Sequence, residues 1–89
     1  MNYPFISIVI ATFNSGQTLE TTLKSIRKQL YPQDKIEILI IDGGSVDNTI
    51  FLTKKYKCKI LSNLKTHQVY AKHIGYLQAE GKYLLYLDS

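Results

Sequence analysis

The sequence predicts an α/β domain, a three-layer sandwich in which helices cover both faces of an open, mainly parallel sheet. Three observations carry that prediction. Three segments, 6–11 (ISIVIA), 36–41 (IEILII) and 83–87 (YLLYL), are almost wholly apolar and rich in β-branched or aromatic residues. Near-continuous apolar strands, as opposed to alternating ones, belong to sheets buried on both faces. Helical periodicity fills the spaces between them, and strands that alternate with helices imply right-handed crossovers to parallel neighbours.

Taken in order, the first strand ends at Thr12-Phe13-Asn14. Leu19, Leu23, Ile26 and Leu30 then fall at i, i+4, i+7 and i+11, one apolar stripe of a helix. Asn14 with Gln17 three residues later has the form of a capping box at its start. Tyr31-Pro32 ends it, because proline disfavours helix in the residue before it. The second strand runs to Ile41 and meets Asp42-Gly43-Gly44-Ser45. Ser45 is placed to cap a second helix, with Asp47 in its first turn favourable to the helix dipole. Lys59 to Ser62 (KILS) is a shorter and weaker strand. A third helix over 66–80, with Tyr70, Ile74 and Leu77 on one face, stops at Gly81 before the last strand. The order is β-α-β-α-β-α-β, with no internal repeat, low-complexity tract or linker.

The 89 residues suit one small domain or part of one. A chain of this size buries only about 60–65% of the surface its unfolded form exposes, so the core is thin. Apolar residues at 45% and charged residues at 20% are those of a globular fold. The net charge of +4 comes from scattered lysines, densest at Lys54, Lys55, Lys57 and Lys59. No basic run interleaves with aromatic residues, which argues against nucleic acid as a partner; an anionic ligand or membrane surface is compatible with the charge. Cys58 stands alone, so no internal disulfide forms, as in a reducing compartment. No signal-peptide pattern opens the chain, and no apolar run approaches the roughly 20 residues of a membrane span.

Ligands of open α/β sheets bind beyond the carboxyl ends of the strands. Here those ends carry Thr12-Phe13-Asn14, Asp42-Gly43-Gly44-Ser45, Asn63 and Asp88-Ser89, so polar and aromatic residues gather on one edge. Each feature alone has a plain structural reading: a turn, a helix cap, a packed phenylalanine, a solvated strand terminus. Their conjunction points to a site. Asp42 ends the second strand as the ribose-binding acid of dinucleotide folds does, but the first turn, TFNSGQT, lacks G-x-G-x-x-G, and no G-x-x-x-x-G-K-[ST] phosphate loop is present. His67 and His73, six residues apart, do not share a helix face as a metal pair would. A phosphoacceptor receiver domain needs clustered acids after the first strand, where Ala11-Thr12-Phe13-Asn14 has none.

Five segments resemble family-two glycosyltransferases of the GT-A fold: SIVIATFN at 7–14, SIRKQLYP at 25–32, EILIIDGGSVDNT at 37–49, AKHIG at 71–75 and AEGKYLLYLDS at 79–89. They occur in the family's order and span nearly the whole chain. The resemblance implies that residues 1–89 are the N-terminal, nucleotide-sugar-binding part of one glycosyltransferase domain. This is a Rossmann-like half with strand order 3-2-1-4, truncated after the fourth strand. It also implies metal-dependent transfer of a sugar from a nucleotide-diphosphate sugar to an acceptor hydroxyl, with inversion.

The donor implied is a UDP-sugar first and a GDP-sugar second, the cation Mg²⁺ or Mn²⁺, and the acceptor a carbohydrate, lipid or protein in polysaccharide, glycolipid or glycoprotein assembly. By the same resemblance Ala11, Thr12, Phe13 and Asn14 wall the nucleotide, and Asp42, Gly43 and Ser45 lie against the nucleoside. Relatives often carry a second aspartate where this chain has Gly43. Lys72 stands where they often have arginine and His73 where they often have asparagine; Lys72 offers a point charge to the diphosphate. Asp88 opens the family's Asp-x-Asp motif and is the implied metal ligand. The general base is expected outside this stretch, so the 89 residues alone are expected not to transfer sugar. The implied location is the cytoplasm or the cytoplasmic face of a membrane. The competing reading is a nucleotide-binding module without catalysis. An apolar edge at the last strand also predicts self-association of the isolated segment.

Overall fold

The computed structural model describes residues 2–63 and 68–88. Four strands, β1 (Ile6–Thr12), β2 (Ile36–Asp42), β3 (Lys59–Ser62) and β4 (Tyr83–Asp88), form one sheet in the order β3-β2-β1-β4. All three pairings are parallel, and the strand order is the one the resemblance implies. Helices α1 (Gly16–Arg27), α2 (Thr49–Lys55) and α3 (Gln68–Gln78) make the crossovers. Alternation along the strands divides the core in two. Ile8, Ile10, Ile38 and Ile40 pack under α1 and α2 against Leu19, Leu23, Ile26 and Leu52. Val9, Leu39 and Ile41 turn to the other face and meet Ala71 of α3.

The helix ends depart from expectation in ways with physical causes. The α1 stripe stops at Ile26: Lys28 closes the helix with its N–H on the Lys24 carbonyl, and Leu30 lies beyond it, 102% exposed. The chain must reach the extended geometry of Pro32 (φ −55°, ψ 120°) before a 3₁₀ turn over Gln33–Lys35, so the helix gives up a turn early. Asn14 forms no capping box with Gln17. It sits in the left-handed region at φ 48°, and Asp47 from the β2–α2 connection accepts the Gly16 N–H at 3.1 Å instead. Nor does Ser45 cap α2; Asp47 accepts the Thr49 N–H at 3.0 Å, immediately ahead of the helix.

Helix α3 corrects the expectation further. Of the predicted apolar face, Ile74 packs half-buried against the core but Tyr70 and Leu77 are exposed, and among the described side chains of the helix the buried positions are Ala71 and Gly75. A Cβ on Gly75 would come within 2.4 Å of the Val9 side chain, so only small residues fit where this helix meets β1. The predicted start at Thr66, and His67, lie outside the described residues.

At the amino-terminal edge a polar latch holds the α3–β4 turn to the sheet. Buried Glu37 accepts the Ser7 hydroxyl at 2.5 Å, the Glu80 N–H at 2.7 Å and the Lys59 ammonium at 3.1 Å. Ser7 in turn accepts the Gly81 N–H at 2.8 Å. The carboxyl-terminal edge is thereby set in register, with Thr12 beside Asp42 and Ala11 beside Asp88.

Candidate functional site

The β1–α1 and β2–α2 connections form one hydrogen-bonded unit built around Asp42. The residue is 6% exposed, and its carboxylate accepts four donors: the Thr12 hydroxyl at 2.7 Å, the Ser45 hydroxyl at 2.5 Å, the Ser45 N–H at 2.7 Å and the Gly44 N–H at 3.0 Å. Two oxygens offer about four lone-pair positions, so this carboxylate is fully satisfied from within the protein. Burial pushes its pKa up, but the four donors outweigh that and hold it below the usual aspartate value. Gly44 is needed at the turn, where φ is 102° and nothing lies near the missing Cβ.

Reciprocal bonds fasten the neighbouring loop. Asn14 donates its N–H to the Ser45 hydroxyl at 2.8 Å and accepts the Val46 N–H at 2.8 Å. The Gly43 N–H reaches the Thr12 carbonyl at 2.9 Å, and the Asn63 N–H reaches the Asp42 carbonyl at 2.7 Å. Phe13 is tied by its backbone to the Ser15 hydroxyl, while its side chain leaves the residue 56% exposed, an aromatic face at the rim. Asp47, its pKa lowered chiefly by the Thr49 hydroxyl, fixes the starts of α1 and α2 to each other.

Asp88 belongs to the opposite face of the same edge. Its Cα is paired with Ala11, as that of Asp42 is with Thr12, so the two residues flank the end of β1 with their Cα atoms about 10 Å apart from strand spacing and their carboxylates on opposite faces. Ala11, Lys72, Tyr86 and Asp88 line one narrow crevice between α3 and β4. The Lys72 ammonium stands 5.9 Å from the centre of the Tyr86 ring. Asp88 and Lys72 are exposed, as is His73, while Ser89 lies outside the described residues.

The predicted site residues thus fall into two groups that share an edge: Thr12, Asn14, Asp42, Gly43 and Ser45 in the rigid loop, and Ala11, Lys72 and Asp88 in the crevice, with Phe13 at the rim. Tyr86 was missed. The signal for it is its place two residues before Asp88, on the same face of β4 and beside Val9. Among the described residues no cluster of three or more His, Cys, Asp or Glu side chains could hold a metal by itself.

Comparison with known proteins gives this edge a context. The sequence profile of Glycosyl transferase family 2 matches residues 7–89. Over 91 residues the chain is 31% identical to poly(ribitol-phosphate) beta-N-acetylglucosaminyltransferase TarS of Staphylococcus aureus, covering 93% of this chain and 16% of that one. It is 38% identical over 88 residues to the dolichyl N-acetyl-alpha-D-glucosaminyl phosphate 3-beta-D-2,3-diacetamido-2,3-dideoxy-beta-D-glucuronosyltransferase of Methanococcus voltae, covering 91% of this chain and 27% of the relative. The structure of TarS 1–349 in complex with UDP superposes with a TM-score of 0.84 at 27% identity, over 94% of this chain and 27% of that one. The mannosyltransferase PcManGT of Pyrobaculum calidifontis, solved with GDP-Man and Mn²⁺, superposes at 0.86 and 21% identity, over 99% of this chain and 28% of its own. The chain spans between a sixth and a third of the length of these proteins. It belongs to glycosyl transferase family 2 and has the GT-A fold.

Proposed function

We propose that residues 1–89 form the donor-nucleotide part of a single glycosyltransferase domain that transfers a sugar from a nucleotide-diphosphate sugar to an acceptor hydroxyl. The observation that carries this reading is the carboxyl edge of the sheet: a preformed loop around Asp42 on one side of β1 and the Lys72–Asp88 crevice on the other. Support comes from family membership and from relatives whose names and structures carry UDP or GDP-Man.

Each residue acts according to its surroundings. Phe13 offers a stacking face to the base, walled by Ala11 and Thr12. Asp42, with its acceptor positions filled, shapes the loop, and a ribose hydroxyl reaches it by replacing one of those donors. Gly43 and Ser45 bring backbone close to the nucleoside, and Asn14 locks that backbone in place. Lys72 lends positive charge to the diphosphate. Asp88 is an exposed carboxylate that would hold Mg²⁺ or Mn²⁺, cations that are commonly bound through one or two carboxylates together with substrate phosphates and water. When bound, such a cation neutralises charge developing on the nucleoside diphosphate as it leaves. The acceptor hydroxyl attacks the anomeric carbon with inversion, its proton taken by a base outside these residues.

A UDP-sugar is the favoured donor, and assembly of a polysaccharide, glycolipid or glycoprotein at the cytoplasmic side is the favoured setting. Apolar side chains Leu85 and Leu87 border a groove of about 530 Å³ beside α1, and this exposed edge makes the isolated segment prone to self-association. Calorimetric titration of the intact protein with UDP and with GDP, each with and without Mn²⁺, tests the reading. Binding of one nucleotide only in the presence of metal, weakened at least tenfold by Asp88→Ala, is expected. Metal-independent binding, or none by the folded protein, overturns it.

A further inference from the structure

The parallel sheet gives the molecule two chemically different ends. The donor edge carries Asp42, Asp47 and Asp88 against the one lysine Lys72, so among the described residues most of the positive charge lies away from the donor phosphates. It collects at the other end, where helices finish and strands begin. Lys24 and Arg27 lie in the last turn of α1, Lys54 and Lys55 in that of α2. The connections into the strands add Lys28, Lys35, Lys57 and Lys82, against the carboxylates of Asp34 and Glu80. Glu37 and Lys59 neutralise one another, and Glu20 pairs with Lys55 at 3.3 Å. Complementing the helix dipoles accounts for the four residues in the last turns. It accounts neither for the other four nor for what lies among them.

That is an apolar and aromatic tip. Leu30 projects from the α1–β2 connection with its whole side chain in water. Next to it Tyr31 meets Tyr3 edge to face, ring centres 5.1 Å apart. Exposed Tyr83 carries the Lys82 ammonium 5.8 Å from its ring centre. The surface is also rigid. Arg27 donates to the Tyr56 carbonyl at 2.9 and 3.0 Å, to the Lys57 carbonyl at 3.2 Å and to the Gln33 side chain at 3.1 Å, which locks the Leu30 connection beside the Lys57 turn.

A protruding leucine, tyrosines and a ring of lysines together match the interface of an anionic bilayer, where apolar side chains enter the acyl boundary, tyrosines sit at headgroup depth and ammonium groups meet lipid phosphates. We propose that the amino-terminal edge of this sheet is a docking surface for an anionic membrane, with Leu30 as the inserted residue. The donor edge then faces water, about 20 Å from the headgroups, one strand length away, open to a soluble nucleotide. The inference is independent of the donor chemistry, since none of its residues belongs to the donor edge.

Co-sedimentation of the intact protein with vesicles tests it, using phosphatidylcholine alone and phosphatidylcholine containing about 30% phosphatidylglycerol. Binding to the anionic vesicles alone is expected. Leu30→Ser should weaken it about fivefold through lost apolar burial, and Lys28→Glu with Lys57→Glu at least about 25-fold. Both variants alter exposed side chains, and an unchanged melting temperature confirms that they are folded. Failure to bind, equal binding to neutral vesicles, or binding indifferent to both variants overturns the proposal. So does a loss on charge reversal with no effect of Leu30→Ser, which would mark the edge as a site for a soluble polyanion.

Discussion

Asp42 and Asp88 end neighbouring positions of the same sheet edge, yet their environments assign them different work. Every acceptor position of Asp42 is filled by Thr12, Gly44 and Ser45, while Asp88 stands exposed beside Lys72 in the crevice. Asp42→Asn sets an NH₂ group against those donors, and leaving even one or two of them unsatisfied costs about 2–3 kcal/mol of stability. Denaturant unfolding of the two variants should therefore separate them, with Asp42→Asn clearly destabilised and Asp88→Ala within about 0.5 kcal/mol of wild type. Equal losses would mean that Asp88 is also structural. The sequence made both positions visible, because an acid after an apolar strand lands on the carboxyl edge. It could not show that the partners of Asp42 include a hydroxyl thirty residues earlier, nor that Asn14 spends its side chain on the Val46 N–H, because those pairings exist only once β1 and β2 lie side by side.

Helices were legible in their existence, and α1 in its buried stripe, but they were illegible at their ends. Leu23 and Leu30 share the α1 periodicity, but only Leu23 is buried; Pro32 forces the chain out of the helix before Leu30 can pack. Leu23→Ala should lower stability by about 2–5 kcal/mol, the cost of a core cavity, and Leu30→Ala by less than about 0.5 kcal/mol. A large loss at Leu30 would restore the longer helix. In α3 the misreading runs the other way. Periodicity weighs large apolar residues, so Tyr70 and Leu77 outranked Ala71 and Gly75, although close approach to β1 admits only small side chains. Gly75→Val places methyl groups where Val9 already sits and should cost at least about 1–3 kcal/mol, read as a lower melting temperature. An unchanged melting temperature would show that α3 can move away from the sheet.

Over the whole molecule, the layer division followed from the β-α-β alternation, since right-handed crossovers place helices on both faces of a parallel sheet, while the strand order came from the family resemblance. The hydrogen-bonding of three carboxylates, buried Glu37 and Asp42 and exposed Asp47, was harder to foresee, and Glu37 most of all because it sits inside an apolar run and looks like a solvent-facing position. They nevertheless tie the ends of the sheet together. Glu37 pins the α3–β4 turn, Asp42 the β2–α2 loop, and Asp47 the starts of α1 and α2. All three have pKa values lowered by their donors from ordinary values of 4.5 for Glu37 and 3.8 for the aspartates. A group whose pKa is depressed by folding adds stability that is complete above its unfolded value and disappears as the pH falls through the native one. Unfolding free energy, measured by denaturant titration, should therefore hold steady between pH 7 and about 5 as far as these groups decide it, and decline steeply below about 4. Glu37→Gln keeps an acceptor for the Ser7 hydroxyl and the Glu80 N–H but cannot titrate. That variant should begin less stable at neutral pH, having lost the charge that faces Lys59, and should then fall less steeply in acid than wild type. Parallel curves for the two proteins would show that Glu37 gains nothing from its charge and that the latch holds through geometry alone.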